Sequence, residues 1–405
     1  MLKKSVLLRM ISMDIFDYPL PDERIARFPV NPRDTSRLLV YREGNMEHRI
    51  FSDLPSVLPA GSLLVLNETR VVPARLFLQH PKGKNIEVFV LGPADPELNA
   101  HLALQQKGEC TFHCLIGGRK TWKEGEILQA RFGNISLQCR YADREQNHVH
   151  FSWEPAALSF AEVLESAGNI PLPPYINRNW EESDRETYQT VYSRLEGSVA
   201  APTAGLHFTP EVFEALHARG IHSEYTTLHV GAGTFMPVKT ENALEHTMHS
   251  EQIVISDTLL QRILEQEGPV IAVGTTSCRL LESMYWFGVK LESDPQAAFR
   301  ITQDDAYTLD PLPREKALRN MLRAMQERNI REWTGHSALY ILPGYTFRVV
   351  KGLITNFHQP KSTLLLLVSA LIGDDWKNVY ASALENGYRF LSYGDSSLLL
   401  PQTMQ

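Results

Sequence analysis

Three apolar runs in this chain end alike. SLLVL from residue 62, PVIAV from residue 269 and GLITNF from residue 352 each pass at once into a loop of small or polar residues. Runs of this length without alternation are strands buried on both faces, as in a parallel sheet covered by helices. Open sheets of that kind bind ligands beyond the carboxyl ends of their strands. The pattern therefore predicts an α/β fold with its chemistry in three loops. These carry Asn67, Glu68, Thr69 and Arg70, then Gly274, Thr275, Thr276 and Ser277, then Asn356, His358, Gln359, Pro360 and Lys361. FLSYGD adds a fourth loop, with Asp395 behind Gly394 at a strand end.

Each loop also has a plainer reading. The first suits a hydrogen-bonded strand turn. In the second, Arg279 and Glu282 on the following helix suit a simple i,i+3 pair. A histidine near an apolar strand is more often a structural hydrogen-bonder than a catalyst. Lys361 is harder to dismiss, because cations are disfavoured at the positive end of a helix dipole.

Residues 197–238 concentrate glycines and polar groups instead of core filler. Thr209, Pro210 and Glu211 predict a capped helix start, and Gly220 its end. Before that helix, Pro202, Thr203, Gly205 and His207 lie in a small-residue loop; after it, a strand leads to Gly231 and Gly233. Backbone there can approach a ligand closely, although a lone Gly-x-Gly is more often a turn than a cofactor loop.

Between residues 72 and 153 the texture changes to short alternating segments such as IEVFVL, ISLQCRY and HVHFSW. That predicts a small all-β barrel inserted into the larger α/β domain. Its GGRKTWKEGEIL loop offers Arg119, Lys120 and Lys123, either as a solvated turn or as phosphate contacts. GNIPLPPY, with three prolines, predicts an extended wall. Residues 184–192 carry tyrosines that suit either stacking or core, and 291–331 read as a strand-like lead and an exposed helix.

With 405 residues, 43% of them hydrophobic and 21% charged, the chain needs no metal or disulfide to fold. Four scattered cysteines suit a reducing cytoplasm. Cys110, His113, Cys114 and Cys139 do not have a standard zinc spacing, so no metal is expected. No stretch reaches the length of a membrane span, and LLLLVSALIG reads as a buried helix. A formal charge of −7 argues against non-specific nucleic-acid affinity while leaving room for a local basic patch.

The runs FDYPLPDERIARFPVNPRDTSRLLV, LLVLNETRVVPARL, APTAGLHFT, TLHVGAGTF, VGTTSCRLLES, LITNFHQPKSTLLLLVSA and FLSYGD resemble those of the S-adenosylmethionine:tRNA ribosyltransferase-isomerase family of queuosine biosynthesis. They span nearly the whole chain. The resemblance implies a large catalytic α/β domain (13–71 and 154–405), a small β-barrel insert (72–153) and an N-terminal extension (1–12). It departs at Glu68, where the family usually has aspartate, and over residues 291–342, where WTGHSALYILPGY lacks an aspartate after Trp-Thr.

The reaction so implied transfers the ribosyl part of S-adenosylmethionine, a co-substrate, to an aminomethyl-deazaguanine at the tRNA wobble position. An epoxycyclopentane forms; adenine and methionine leave. Such chemistry needs a base beside the sulfonium, help for the departing adenine, and fixed dipoles. His207, His229, His358 and Asp395 are the catalytic candidates. The methionine carboxylate would meet Thr275, Thr276 and Arg279, with Gly231 and Gly233 alongside, and the sulfonium would face Phe208 or Phe235. Arg37, Asn67, Arg70, Thr203, Asn356, Lys361, Arg119 and Lys120 are candidates for the tRNA side. A cytoplasmic monomer is expected. Two alternatives remain: another S-adenosylmethionine-dependent transferase, such as a methyltransferase, or a non-catalytic RNA-binding paralogue.

Overall fold

A computed structural model describes residues 10–95, 97–231, 238 and 240–401. The three apolar runs become neighbours: strands Leu63–Asn67, Val270–Val273 and Gly352–Asn356 pair in parallel, and His222–His229 joins them on the far side of Leu63–Asn67. The first three of these elements explain themselves, because every residue in Leu63–Asn67, Val270–Val273 and Gly352–Asn356 is buried. Only a sheet covered on both faces accommodates such strands.

Further strands, in both antiparallel and parallel pairings, extend the sheet to ten. Glu251–Ser256 pairs with His222–His229, followed by Glu332–Ser337 and Arg300–Ile301. On the other side Ser396–Leu400 runs against Gly352–Asn356, then come Arg37–Arg42 and Asn45–Ile50. The last strand, NMEHRI, is exposed throughout, and its charges suit an edge.

Helix Thr275–Ser293 follows Val270–Val273 and is buried almost all round. Helix Arg314–Glu327, expected to be exposed, buries Ala317, Leu318, Met321 and Met325 against it, so only one face meets water. The apolar run after His358 forms helix Thr363–Ile372, buried as expected. Among the described residues no helix is long and apolar enough to cross a membrane.

Six antiparallel strands from Arg75–Gln79 to His148–Glu154 make a nearly closed barrel. Strand Ile135–Asp143 alternates buried and exposed residues along most of its length. Cys110, Cys114 and Cys139 face the barrel core, where burial pushes each thiol pKa up. His113 sits on the opposite pleat from Cys110 and Cys114, so these three side chains cannot converge on one ion. Helix Phe160–Ala167, opened by a Ser159–Glu162 capping box, adds its apolar face to the same core.

Candidate active site

The carboxyl ends of three parallel strands surround one pocket. Val273 leads to Gly274, whose φ of +89° turns the chain directly into helix Thr275–Ser293. Asn356 leads to a loop ending at Ser362, which caps helix Thr363–Ile372 by accepting from Leu365 N. His229 leads to Val230, whose N–H donates to Ser198 Oγ at 3.0 Å and so draws the 197–204 segment across. Ala200, Ala201, Pro202, Thr203 and Ala204 form one wall, Leu391 and Ser392 another, and Tyr175 and Tyr188 complete the lining. The space is about 850 Å³ with its open mouth included.

Two helix amino termini, at Thr275 and Thr363, therefore open into one cavity. Each presents unpaired N–H groups and positive dipole charge, a setting for an anion. No aspartate, glutamate, lysine or arginine lines the pocket among the described residues. Its anion affinity would come from dipoles and hydroxyls, leaving no acid to compete.

His358 is the catalytic candidate that reaches this space. Its Nε2 is 2.9 Å from Thr355 Oγ1, its backbone N–H donates to Tyr380 Oη at 3.0 Å, and its backbone carbonyl accepts from Tyr18 Oη. Burial lowers its pKa to about 3, so the ring is neutral at pH 7. Tyr188 is fully buried; its hydroxyl lies near Ser392 and Ala201 but makes no hydrogen bond of good geometry. Burial pushes its pKa far up, which keeps its proton in place.

His207 lies behind the wall. Its Nε2 is 3.1 Å from Asn356 Nδ2 and its Nδ1 2.8 Å from Ser36 Oγ. An amide N–H can only donate, so Nε2 accepts and Nδ1 carries the proton toward Ser36. Burial, then the charges of Arg389 and Arg33, lower its pKa to about 3. Asn356 Oδ1 is buried without a partner while the residue lines the pocket.

The remaining candidates are dispersed. His229 packs on the Gly197 backbone with Nδ1 unpartnered, and burial beside His101 lowers its pKa to about 4. Asp395 precedes a strand instead of ending one; Ser396–Leu400 runs antiparallel, which still brings the loop to the same sheet edge. Its carboxylate accepts from Arg37 N at 3.0 Å and Arg389 N at 2.8 Å, so it braces backbone. Arg279 is paired at 2.9 Å with Glu251, and Glu282 accepts from Tyr345 Oη and from the N–H groups of Arg348, Val349 and Val350. The i,i+3 pair read from sequence is thus replaced by two separate tertiary bonds.

Lys361 stands outside the helix, one residue before its cap, with Nζ 2.7 Å from Asp14 and 3.3 Å from Asp17. Those carboxylates account for a cation near a positive dipole. Asn67 bridges to Leu228 through both amide atoms, and Phe208 packs among Phe51, Phe213 and Tyr192 in the core. Arg70, Arg37, Arg119 and Lys120 are exposed. Glu68 is half-buried, 3.9 Å from Arg194, and burial raises its pKa. Thr203, Thr275 and Thr276 line the pocket; Gly231 lies just beyond Val230. Gly233 and Phe235 lie outside the described residues. Thr355, Tyr175 and Ser392 line the site without having drawn notice, since lone hydroxyls carry no signal in a sequence.

The fold and the pocket define an α/β protein with a β-barrel insert and a pocket flanked by two helix amino termini at the carboxyl edge of its sheet. The profile of the family described as "Queuosine biosynthesis protein" matches residues 13–399, and the chain belongs to that family. A relative from Novosphingobium aromaticivorans, named S-adenosylmethionine:tRNA ribosyltransferase-isomerase, is 41% identical over 96% of this chain and 99% of its own. One of the same name from Desulfitobacterium hafniense is 39% identical, over 96% and 100%. The crystal structure of S-adenosylmethionine tRNA ribosyltransferase from Thermotoga maritima is similar at 28% identity, covering 95% of this chain and 100% of that one, with a TM-score of 0.46.

Proposed function

We propose that this protein is a transferase-isomerase that moves the ribosyl moiety of S-adenosylmethionine onto the aminomethyl-deazaguanine (preQ1) of a tRNA anticodon. The product is epoxyqueuosine, with adenine and methionine released. In this reading residues 13–71 and 154–405 form the catalytic unit and 72–153 an insert. The observation that carries it is the pocket between two helix amino termini, with His358 and Asn356 in its wall.

The N–H groups at Thr275 and Thr363, with the hydroxyls of Thr275, Thr276 and Ser362, hold the methionine carboxylate. The absence of lysine and arginine from the described lining spares the sulfonium a like charge. With Nε2–H donated to Thr355, His358 keeps a lone pair on Nδ1 to take the proton beside the sulfonium. Tyr188 offers its hydroxyl hydrogen to the departing adenine. Asn356 Oδ1 accepts from the aminomethyl group or from a ribosyl hydroxyl.

The test is incubation with S-adenosylmethionine and tRNA carrying the aminomethyl-deazaguanine, followed by assay for adenine, methionine and a mass-shifted nucleoside. All three released in step support the reading. S-adenosylhomocysteine in their place would make the protein a methyltransferase.

A further inference from the structure

We propose that a strip of arginines beside the pocket mouth, with the exposed ring of Phe28, is where the backbone of the RNA lands while one base enters the pocket. This rests on the tRNA-modifying reading above and names the surface that reading leaves open.

The strip begins at the active site. Ser392 lines both the main pocket and a narrow cleft formed with Arg33, Arg389, His207, Ser36 and Gly394. Arg389 and Arg37 both donate their backbone N–H to Asp395, so the cleft continues to Arg37. Arg37 then lines an open hollow with His48, Arg49, Ile50, Asn386 and Tyr388, in which Asp53 is the one acid among the described lining residues. A Cβ built on Gly387 would be 3.2 Å from Arg24 Nη1 and 3.8 Å from Arg37 Nη1, so two guanidinium groups converge there.

These cations are held by carbonyls instead of carboxylates. Arg33 donates to Gln189 O at 2.5 Å and Glu186 O at 2.7 Å, Arg37 to Asn386 O, and Arg389 to Phe28 O at 3.1 Å. Arg24, Arg33 and Arg37 have no ion-pair partner among the described residues, and Arg389 reaches Asp395 only at 3.6 Å. Arg33 is half-buried, and its desolvation outweighs the attraction of Tyr393 and the Glu186 carboxylate, so its pKa is lowered. The depressed pKa of buried His207 registers the charge of Arg389 and Arg33 behind the wall. In a chain of formal charge −7, guanidinium groups gathered at one mouth, with no carboxylate oxygen nearer than 3.6 Å among the described residues, suit a polyanion.

Phe28 supplies the second part. Its ring is 48% exposed and lies 4.2 Å from the Arg178 guanidinium, whose own charge is neutralised by Asp184. An exposed aromatic face backed by arginine, beside a basic strip, is what stacks an unpaired base. An anticodon loop offers phosphodiesters and unstacked bases together.

The test is anisotropy of a labelled anticodon stem-loop RNA over a series of chloride concentrations. Wild type is compared with Arg24→Gln, Arg37→Gln, Arg37→Gln/Arg389→Gln and Phe28→Ala, and with Arg119→Gln/Lys120→Gln on the barrel. Each arginine lost should flatten the slope of log K against log salt by about 0.7. Phe28→Ala should weaken binding by roughly five- to a hundred-fold with the slope kept. S-adenosylmethionine binding within about two-fold of wild type verifies the fold of each variant; Arg24→Gln and Phe28→Ala, at positions with no side-chain hydrogen bond among the described residues, serve if the double variant does not fold. Wild-type slopes in the strip variants, or a flattened slope only in the barrel variant, would overturn the proposal and leave the enzyme reading intact. Displacement of the RNA by inorganic phosphate beyond the effect of equal ionic strength would assign the cleft to a free anion and also overturn it. A wild type that neither binds RNA nor turns over would remove both.

Discussion

Asn356 Nδ2 lies 3.1 Å from His207 Nε2, and the Oδ1 of the same amide is left without a partner at the pocket wall. The buried histidine thus decides which way the amide faces, and it does so only while neutral. Asn356→Leu removes the acceptor in the pocket and orphans His207. A loss of about 1–3 kcal/mol of binding or transition-state energy follows, roughly five- to 150-fold in kcat/KM. Steady-state kinetics with the modified tRNA check it, and unchanged kinetics would remove Asn356 from the site.

His358→Phe keeps the ring volume and removes the proposed base. The expected loss in kcat is about 10²–10⁴-fold, with S-adenosylmethionine affinity much less affected. Thr355→Val, which frees Nε2, should lower kcat less and move the pH profile. A His358→Phe enzyme at near wild-type rate would rule the residue out.

Acid should destabilise the fold through three histidines. Folded pKa values of about 3 for His207 and His358 and about 4 for His229 lie below the ordinary 6.5. The unfolded chain therefore binds protons first as pH falls. Their contribution is complete above pH 6.5 and declines from there toward pH 3–4, by at most about 1.4 kcal/mol per pH unit for each. Urea midpoints measured across that range check it, and His229→Phe should flatten the dependence by one histidine's share.

Glu282→Ala leaves three backbone N–H groups, those of Val349 and Val350 buried and that of Arg348 partly so, and the Tyr345 hydroxyl without their acceptor. Destabilisation of at least about 3 kcal/mol is expected. Because Glu282 does not line the pocket, kcat of the surviving folded fraction at low temperature should stay close to wild type. A shift in urea midpoint worth under 1 kcal/mol would contradict this account of the 345–350 segment.

Gly335 stands where the family resemblance places an aspartate. A Cβ there would be 2.2 Å from Phe299 Cγ, so the ring occupies the space. Gly335→Asp should cost about 1–3 kcal/mol by overpacking, and Phe299→Ala should relieve part of that clash. A double-mutant cycle of thermal unfolding measures the coupling; purely additive effects would show that the two positions do not compete.

The amount legible beforehand differed from residue to residue. His358 and Thr275 could be read because each follows an apolar strand directly, where sheet geometry already implies a ligand edge. Thr209 and Gly220 bound their helix as expected, since capping depends on a few adjacent residues. Arg279 and Glu282 looked like each other's partners, yet one reaches residue 251 and the other residues 345–350. Asp395 looked like a pocket acid until its two backbone donors were placed.

By itself the sequence determined the elements and the edge. Apolar runs of about five residues must be buried on both faces, alternating runs on one, and loops of glycine and hydroxyl residues must follow where the strands stop. Tertiary structure alone decided which polar groups face the ligand and which brace the frame. Ser36, His207 and Asn356 are separated by well over a hundred residues at each step and become one hydrogen-bonded line only through the pairing of Gly352–Asn356 with Ser396–Leu400 and of that strand with Arg37–Arg42. Hydrogen bonds and desolvation act over a few ångströms in space, and the chain order holds no record of that distance until the sheet closes it.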